Sequence, residues 1–375
     1  MKIAIDIRSM SGPTPSGVGH SVFELLRALT ELPHDHDILL FTTGRKPYVL
    51  PTELAQDKRM RLIQPRGPSR LWNLGIAFGI VRLRHLLGEE PDVVWYPNTG
   101  FLPKTTARVI LTVHDLAFHL MPSTYTHIDH LRYRITRART WIRRADQIIA
   151  ISQATRSDLI QALQISKERI SVIPHGIDTE QFHPRTQPTD ATKRQRLGVR
   201  TPYILSLATR EPRKNLQTLI EAWERARDAG FTSDLVLAGG PGWKRKQLDR
   251  HIATSPHREH LHVLGYVSDT VRPALLRGAQ ALALPSRYEG FGRQILEAMA
   301  CGTPVITSRN RSLLEVAGPA ALSAHAMNVS EWTNLLLELN PVLEAELKKS
   351  VLKQTELSSW KRAARALLST LDAEA

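Results

Sequence analysis

The chain has 375 residues, of which 42% are hydrophobic and 23% are charged, a balance typical of globular proteins and unlike that of disordered or fibrous chains. This length predicts two domains, and no segment is apolar for the roughly 18 residues that a membrane-spanning helix needs. The net charge of +14 predicts an anionic partner, such as nucleic acid, anionic lipid or a phosphorylated substrate. The single cysteine, Cys301, excludes an internal disulfide and is typical of a reducing compartment, so we expect a cytoplasmic protein.

Short β-branched segments alternate with amphipathic segments along the chain. The predicted strands of the first half are 2–7, 37–43, 92–97, 108–115, 147–153 and 170–178. Residues 183–195 are polar, contain prolines and lack periodicity, which predicts a linker. The alternation then resumes with predicted strands at 203–209, 234–239, 261–266, 281–286 and 303–308. This order predicts two doubly wound α/β domains with parallel sheets and a cleft between them, followed by an amphipathic helix at 358–373.

A basic segment lies in the first half, with six arginines between Arg132 and Arg144. At helical spacing Leu131, Ile135, Ala138 and Ile142 share one stripe, which predicts a single basic amphipathic helix. Such a helix is typical of a protein that lies on an anionic membrane and also of a solvated helix face. Both interpretations stay open.

Glycines and a histidine follow two strands of the first half, and ligands of parallel sheets bind beyond such strand ends. Gly12, Gly17 and Gly19 precede a predicted helix, where backbone N–H groups can approach a phosphate, although a flexible turn uses the same residues. His114 and Asp115 end another strand, where the imidazole can bind a substrate hydroxyl or form a structural bond with the carboxylate. The histidine spacings are unlike those of zinc sites, so no metal site is predicted.

Two cations follow the first strand of the second half. Arg213 and Lys214 precede Asn215 at a predicted helix start, where positive charge opposes the helix dipole. A bound polyanion would offset that conflict, and plain surface charge is the alternative.

Two acids flank a glycine-rich turn in RYEGFGRQILEAMACGTPVI, residues 287–306. The helix is expected to begin near Gly292 and to end at Cys301. Glu289 then precedes the helix and Glu297 lies more than one turn inside it, so the two can face different parts of one elongated ligand. Capping of the helix by Glu289 is the alternative.

With these motifs the chain resembles the family 4 retaining glycosyltransferases, which have the two-domain GT-B fold. The resemblance covers nearly the whole chain through SGVGH, VHDLAF, ISQATRSDLI, VIPHGIDTEQFHP, EPRKNLQTLIEAW, LVLAGGPGW, LGYVSD and the segment around Glu289. It implies two Rossmann-like domains facing across a cleft: an acceptor-side domain at 1–185 and a nucleotide-sugar domain at 196–357. A terminal helix at 358–375 would cross back to the first domain.

The resemblance also implies transfer of a hexose from a nucleotide diphosphate sugar with retained configuration and without a metal or cofactor. Arg213 and Lys214 would hold the diphosphate, Glu289 the sugar hydroxyls and Glu297 the ribose, while His114 would approach the sugar. The other implied substrate contacts are Gly17, Val18, Gly19, Asp115, Tyr266, Val267, Gly290, Phe291 and Gly292. Arg293 stands where the family often has leucine, and it can contact phosphate or point to solvent.

VHDLAF and EPRKN look most like the mannosyltransferase branch of the family, which favours GDP-mannose as donor over a UDP-hexose. The expected acceptor is a lipid-linked or cell-surface glycan. The basic segment from Arg132 to Arg144 would suit a polyprenyl-diphosphate or an anionic membrane, so we expect the protein to be peripheral on the membrane's inner face. A GT-B nucleotide-sugar epimerase is the alternative enzyme. Nucleic acid is not an expected partner, because aromatic residues do not alternate with the basic ones.

Overall fold

The computed structural model describes residues 1–11, 17–355 and 358–373, with the backbone alone at 353–355. Contacts divide the chain into two compact units. The first comprises Met1–Leu116, His127–Gly176 and Ser359–Ala375, and the second comprises Ala117–Thr126 and Ile177–Ser358. The second unit therefore begins within the predicted strand 170–178 and takes in a short earlier segment.

The first unit contains, in the described residues, a parallel sheet of seven strands in the order β3-β2-β1-β4-β5-β6-β7. Its strands are β1 Lys2–Asp6, β2 Asp37–Phe41, β3 Met60–Ile63, β4 Val93–Tyr96, β5 Arg108–Val113, β6 Gln147–Ala150 and β7 Ile170–Val172. Runs of Ile, Leu and Val are buried on both faces, as parallel strands covered by helices require.

The second unit has six parallel strands within the described residues, in the order β10-β9-β8-β11-β12-β13. They are β8 Tyr203–Leu207, β9 Asp234–Ala238, β10 Leu261–Gly265, β11 Ala281–Leu284, β12 Val305–Ser308 and β13 Leu322–Ala324. Both sheets confirm the predicted doubly wound α/β class.

Helices connect successive strands in both units. Numbered along the chain they are α1 Gly17–Thr30, α2 Thr52–Ala55, α3 Ser69–Ala77, α4 Leu83–Leu87, α5 Ala117–Leu120, α6 His127–Ile135, α7 Ala138–Arg144, α8 Gln153–Leu163, α9 Asp190–Arg196, α10 Leu216–Asp228, α11 Lys246–Thr254, α12 Arg272–Gly278, α13 Arg293–Ala300, α14 Arg311–Ala317, α15 Val329–Glu338, α16 Pro341–Thr355 and α17 Trp360–Asp372. In the described residues, no helix combines the length and apolar character that spanning a bilayer needs.

The terminal helix α17 belongs to the first unit. It packs on α1, and Trp360, Ala364 and Leu367 share a hydrophobic core with Ile5 and Trp95 of the sheet. Its amphipathic pattern thus places the last segment of the chain on the first sheet's helical layer.

The polar stretch 183–195 is not a free linker. Its second half forms α9, and the fully buried carboxylate of Asp190 accepts two hydrogen bonds from Arg277 at 2.7 and 2.8 Å. The charged pair fixes this segment to α12, a long-range contact that local composition does not reveal.

The prediction of one basic amphipathic helix was wrong. Arg137 adopts a left-handed conformation with φ of 53°, which ends α6 before α7 begins. Ala138 and Ile142 are buried, whereas Leu131 and Ile135 are exposed, so the four side chains do not share a stripe.

Candidate functional site

Two loops at strand ends of the second unit are joined by hydrogen bonds. After β8, Arg213 and Lys214 lie in one turn of 3-10 helix, and Asn215 takes a left-handed conformation to begin α10. The Asn215 amide donates to the carbonyls of Pro285 and Ala326 at 3.1 and 2.6 Å. This asparagine therefore fixes the two cations beside the loop that follows β11.

That loop brings Glu289 to both cations. Lys214 Nζ donates to Glu289 Oε1 at 2.5 Å, and Arg213 Nη1 donates to Oε2 at 2.8 Å. Ser286 Oγ donates to Oε1 at 2.7 Å. These partners show that Glu289 does not cap α13, which was the structural alternative to a binding role.

The charges determine the protonation state of Glu289. Burial alone would raise the pKa of its carboxyl group, but Lys214 and Arg213 outweigh that effect and lower the pKa to about 2. Glu289 is therefore a carboxylate at any working pH, and it can accept hydrogen bonds but cannot donate a proton.

A second carboxylate completes the cluster. Arg213 Nη2 lies 2.7 Å from Glu211 Oε1, and burial raises the pKa of Glu211 despite the nearby cations. Glu211 and Glu289 thus supply counter-charge to the two cations at the helix start, where the expected alternatives were a bound polyanion and plain surface charge. Glu211 stands two positions before Arg213 in EPRKN, but nothing in the local sequence predicts that it binds Arg213.

The turn between Glu289 and α13 requires glycine at Gly292. Its φ is 92°, and a Cβ atom there would lie 2.4 Å from Leu313 Cδ2. Ser312 Oγ donates to the carbonyl of Glu289 at 2.7 Å, which ties the turn to α14. Phe291 is buried, so the ligand contacts implied for Gly290, Phe291 and Gly292 can come only from backbone groups.

Glu297 lies in α13 with its own pair of arginines. Its Oε1 accepts from Arg272 Nη1 at 2.8 Å and from Arg293 Nε at 3.1 Å. Its Oε2 is buried and has no hydrogen-bond partner among the described residues. Arg293 therefore does not point to solvent, as one expectation had it, because its guanidinium binds the carboxylate one turn away.

Tyr266 lies beside this second cluster. It follows β10, is 57% exposed and is among the groups that raise the pKa of Arg272. Burial would lower the pKa of the Arg272 guanidinium, but Glu297 and Asp269 outweigh it and raise that pKa. Val267 is buried, so only Tyr266 of this pair offers its side chain to a ligand.

His114 lies at the carboxyl end of β5 in the first unit, as predicted. Its Nε2 is 2.8 Å from the carbonyl oxygen of Pro97, which can only accept, so Nε2 carries the proton. Burial lowers the pKa of the ring, and the Pro97 carbonyl and Asp115 oppose that effect. The neutral ring keeps Nδ1 as a potential acceptor for a substrate hydroxyl. Asp115 is partly exposed at the same strand end.

The glycines near the N-terminus differ from the prediction. Gly17, Val18 and Gly19 do not precede the helix but form the first turn of α1. Packing requires glycine at position 19, because a Cβ atom there would lie 2.3 Å from the carbonyl oxygen of Ser9. Gly12 lies outside the described residues. In the described part of the chain no three His, Cys, Asp or Glu side chains form a potential metal site.

Two family models match the chain in succession. The model of Glycosyltransferase Family 4 matches residues 15–181, and that of Glycosyl transferases group 1 matches residues 189–356. O-antigen chain mannosyltransferase B of Escherichia coli is 30% identical over 254 residues, 67% of this chain and 66% of that protein. MMP alpha-(1->4)-mannosyltransferase of Mycolicibacterium hassiacum is 29% identical over 398 aligned positions, 93% of this chain and 92% of that protein.

Solved structures show the same fold. Anabaena Alr3699/HepE in complex with UDP-glucose matches with a TM-score of 0.73 and 19% identity, over 99% of both chains. WaaG, a glycosyltransferase involved in lipopolysaccharide biosynthesis, matches with a TM-score of 0.74 and 15% identity, over 99% of this chain and 100% of that one. With its two parallel-sheet units and both family models, the chain is a GT-B glycosyltransferase that belongs to family 4.

Proposed function

We propose that the protein transfers a hexose, with retained configuration, from a nucleotide diphosphate sugar to a lipid-linked or cell-surface glycan. The observation that carries this proposal is the cluster of Arg213, Lys214 and Glu289 at neighbouring strand ends. Two fixed cations beside an acceptor-only carboxylate suit a donor that carries phosphates next to sugar hydroxyls.

The cations stabilise the leaving group. As the bond to the sugar breaks, negative charge grows on the nucleoside diphosphate, and fixed cations in a partly buried site lower the energy of that state. Lys214 Nζ has three N–H donors, and among the described residues one of them is used, by Glu289. The other two can bind phosphate oxygens, so in this proposal no metal or cofactor is needed.

Glu289 and Glu297 act separately. Glu289 is ionised and held by Lys214 and Arg213, so it orients the donor sugar by accepting from its hydroxyls. Glu297 is held by a different pair of arginines. Because the two carboxylates are bound by separate cations, we do not assign them as a nucleophile and acid pair. We favour a mechanism in which substitution takes place on one face of the sugar through an oxocarbenium-like state.

Arg293 orients the carboxylate that we assign to the ribose. The Arg293→Leu variant removes one of two hydrogen bonds to Glu297 Oε1, so the carboxylate gains rotational freedom. We expect the preference for the nucleoside diphosphate over its 2′-deoxy analogue to fall by about tenfold, a net loss typical of one charged hydrogen bond. Calorimetry of both ligands measures this ratio.

Arg245→Leu is the matched control. Arg245 Nη1 binds Asp249 at 3.0 Å with the same spacing of four residues, but Asp249 has no assigned ligand contact. The Arg245→Leu variant should prefer the nucleoside diphosphate over its 2′-deoxy analogue as strongly as the wild type does. An unchanged ratio in Arg293→Leu would show that Glu297 does not recognise ribose through this geometry.

Relatives guide the choice of donor and acceptor. The two relatives compared above are named as mannosyltransferases, which supports GDP-mannose as the preferred donor and a UDP-hexose as the alternative. The excess of basic residues supports an enzyme that works at an anionic membrane surface, and the single cysteine supports a cytoplasmic location.

A donor screen with the purified protein tests the proposal. GDP- and UDP-sugars are offered with and without glycan acceptors, in buffers with and without EDTA, and the product anomer is assigned by NMR. We expect transfer from one donor, retained configuration and full activity in EDTA. Conversion of a nucleotide sugar without acceptor would instead favour an epimerase, and loss of activity in EDTA would contradict the metal-free mechanism.

A further inference from the structure

The first unit exposes an unusual set of large apolar side chains on two helices and the turn after one of them. Phe78, Ile80 and Ile128 are 74, 72 and 78% exposed. We propose that this surface docks the protein on an anionic lipid bilayer by inserting its apolar side chains between the lipids. We name it the two-helix patch, and its members are Leu71, Leu74, Phe78, Ile80, Ile128, Leu131 and Ile135.

The spacing of the patch is that of two helix stripes. Leu71, Leu74 and Phe78 follow one another by three and four positions along α3 and its C-cap, so they lie on one side of that helix. The exposed residues of α6 repeat the same spacing from Ile128 to Ile135. No residue of α6 is buried, so this helix contributes no side chain to the core of the unit. Apolar side chains that stay exposed at such regular positions, among the residues that the structure describes, are typical of a binding surface.

The two stripes end at the same cavity. Phe78 and Ile135 line one open pocket, together with Phe101 and Trp141. The pocket borders the end of α3 and the end of α6, so the ends of the two stripes lie near each other within the first unit. An amphipathic surface element buries its apolar face at the boundary between lipid headgroups and acyl chains in this way.

The charge around the two-helix patch indicates an anionic membrane as its binding partner. Residues 66–84 and 127–144 contain ten arginines and one carboxylate, Asp129. Exposed members such as Arg70, Arg82, Arg132 and Arg134 therefore surround the apolar stripes with positive charge. Anionic lipid headgroups complement this charge. A second copy of the chain would instead place arginines against arginines, which opposes self-association.

Docking through this patch rests on the proposed function, because a lipid-linked acceptor is presented at a membrane surface. The docking surface also differs from the single basic helix expected from the sequence. It includes the apolar stripe of α3, and it excludes Ala138 and Ile142, which are buried. The structure thus assigns membrane contact to apolar insertion by two helices, with arginines supplying attraction.

Vesicle sedimentation with the full chain tests the patch. The probes are vesicles of phosphatidylcholine alone and vesicles that also contain phosphatidylglycerol, at low and high salt, with no nucleotide sugar present. We expect the wild type to bind the anionic vesicles, with weaker binding at high salt. A variant with Leu74→Gln, Phe78→Gln, Ile128→Gln and Leu131→Gln should lose about tenfold or more of that affinity, because its insertion surface is removed.

The matched control changes exposed apolar side chains of the second unit. Met327→Gln with Val342→Gln alters residues that are 61 and 70% exposed and should bind vesicles like the wild type. Nucleotide binding by calorimetry checks the fold of every variant and tests the proposed function separately. Equal vesicle binding by patch variant and wild type, or no preference for anionic lipid, would overturn docking. So would a patch variant that loses dimers instead of vesicle binding, which would make the patch an interface between copies.

Discussion

The Glu289→Gln variant is expected to lose transfer activity by about 100-fold or more while the second unit stays folded. Glutamine keeps the shape of the side chain and loses the charge, so Lys214 and Arg213 lose the anion between them. The donor sugar also loses a charged acceptor. Steady-state kinetics on the donor found in the screen measures kcat and KM separately, and we expect the loss mainly in kcat.

Asp190→Asn is the control for this loss. Asp190 is a buried carboxylate of the same unit, bound by Arg277, and has no assigned ligand contact. Breaking such a pair costs about 3–5 kcal/mol of stability, so its melting temperature should fall while kcat below that temperature stays unchanged. If Glu289→Gln kept wild-type kcat, Glu289 would be a structural counter-ion for the two cations and no more.

The sequence predicts the sheets well because their signal is local. Each long run of β-branched residues, such as 108–113, became a buried parallel strand. The two strands that were missed, β3 and β13, are short edge strands with partly exposed residues. Their pairing with β2 and β12 depends on the completed sheet, so composition gives little sign of them.

The partners within the site depend on long-range contacts. The motif EPRKN indicates that Arg213 and Lys214 lie at a strand end, but their contact with Glu289 joins positions 75 and 76 residues apart. Arg272 reaches Glu297 from α12, across 25 residues, and no motif singles it out. The sequence thus singles out most members of both ion clusters, and the fold supplies the contacts among them together with Glu211 and Arg272. The roles of these residues toward a ligand stay predictions.

Because Lys214 contacts Glu289, we expect the Lys214→Ala variant to have the second large effect on binding and activity. Lys214→Ala removes a phosphate donor and also leaves Glu289 with less compensation, so the uncovered carboxylate repels phosphate. Affinity for the nucleoside diphosphate should fall by about tenfold or more, and kcat by about 100-fold. Affinity for the corresponding nucleoside, which lacks phosphate, should not change. Calorimetry with both ligands separates a lost phosphate contact from a collapsed site.

A double variant tests whether the two residues act through their charges. If Glu289 repels phosphate once Lys214 is gone, then Lys214→Ala with Glu289→Gln should bind the nucleoside diphosphate more tightly than Lys214→Ala alone. Residues in direct contact give such non-additive effects, whereas independent sites add. Additive losses, or equal losses for nucleoside and nucleoside diphosphate, would contradict a phosphate clamp. Partial recovery of affinity for the nucleoside diphosphate in the double variant would show that the charge of Glu289 acts on phosphate binding through Lys214.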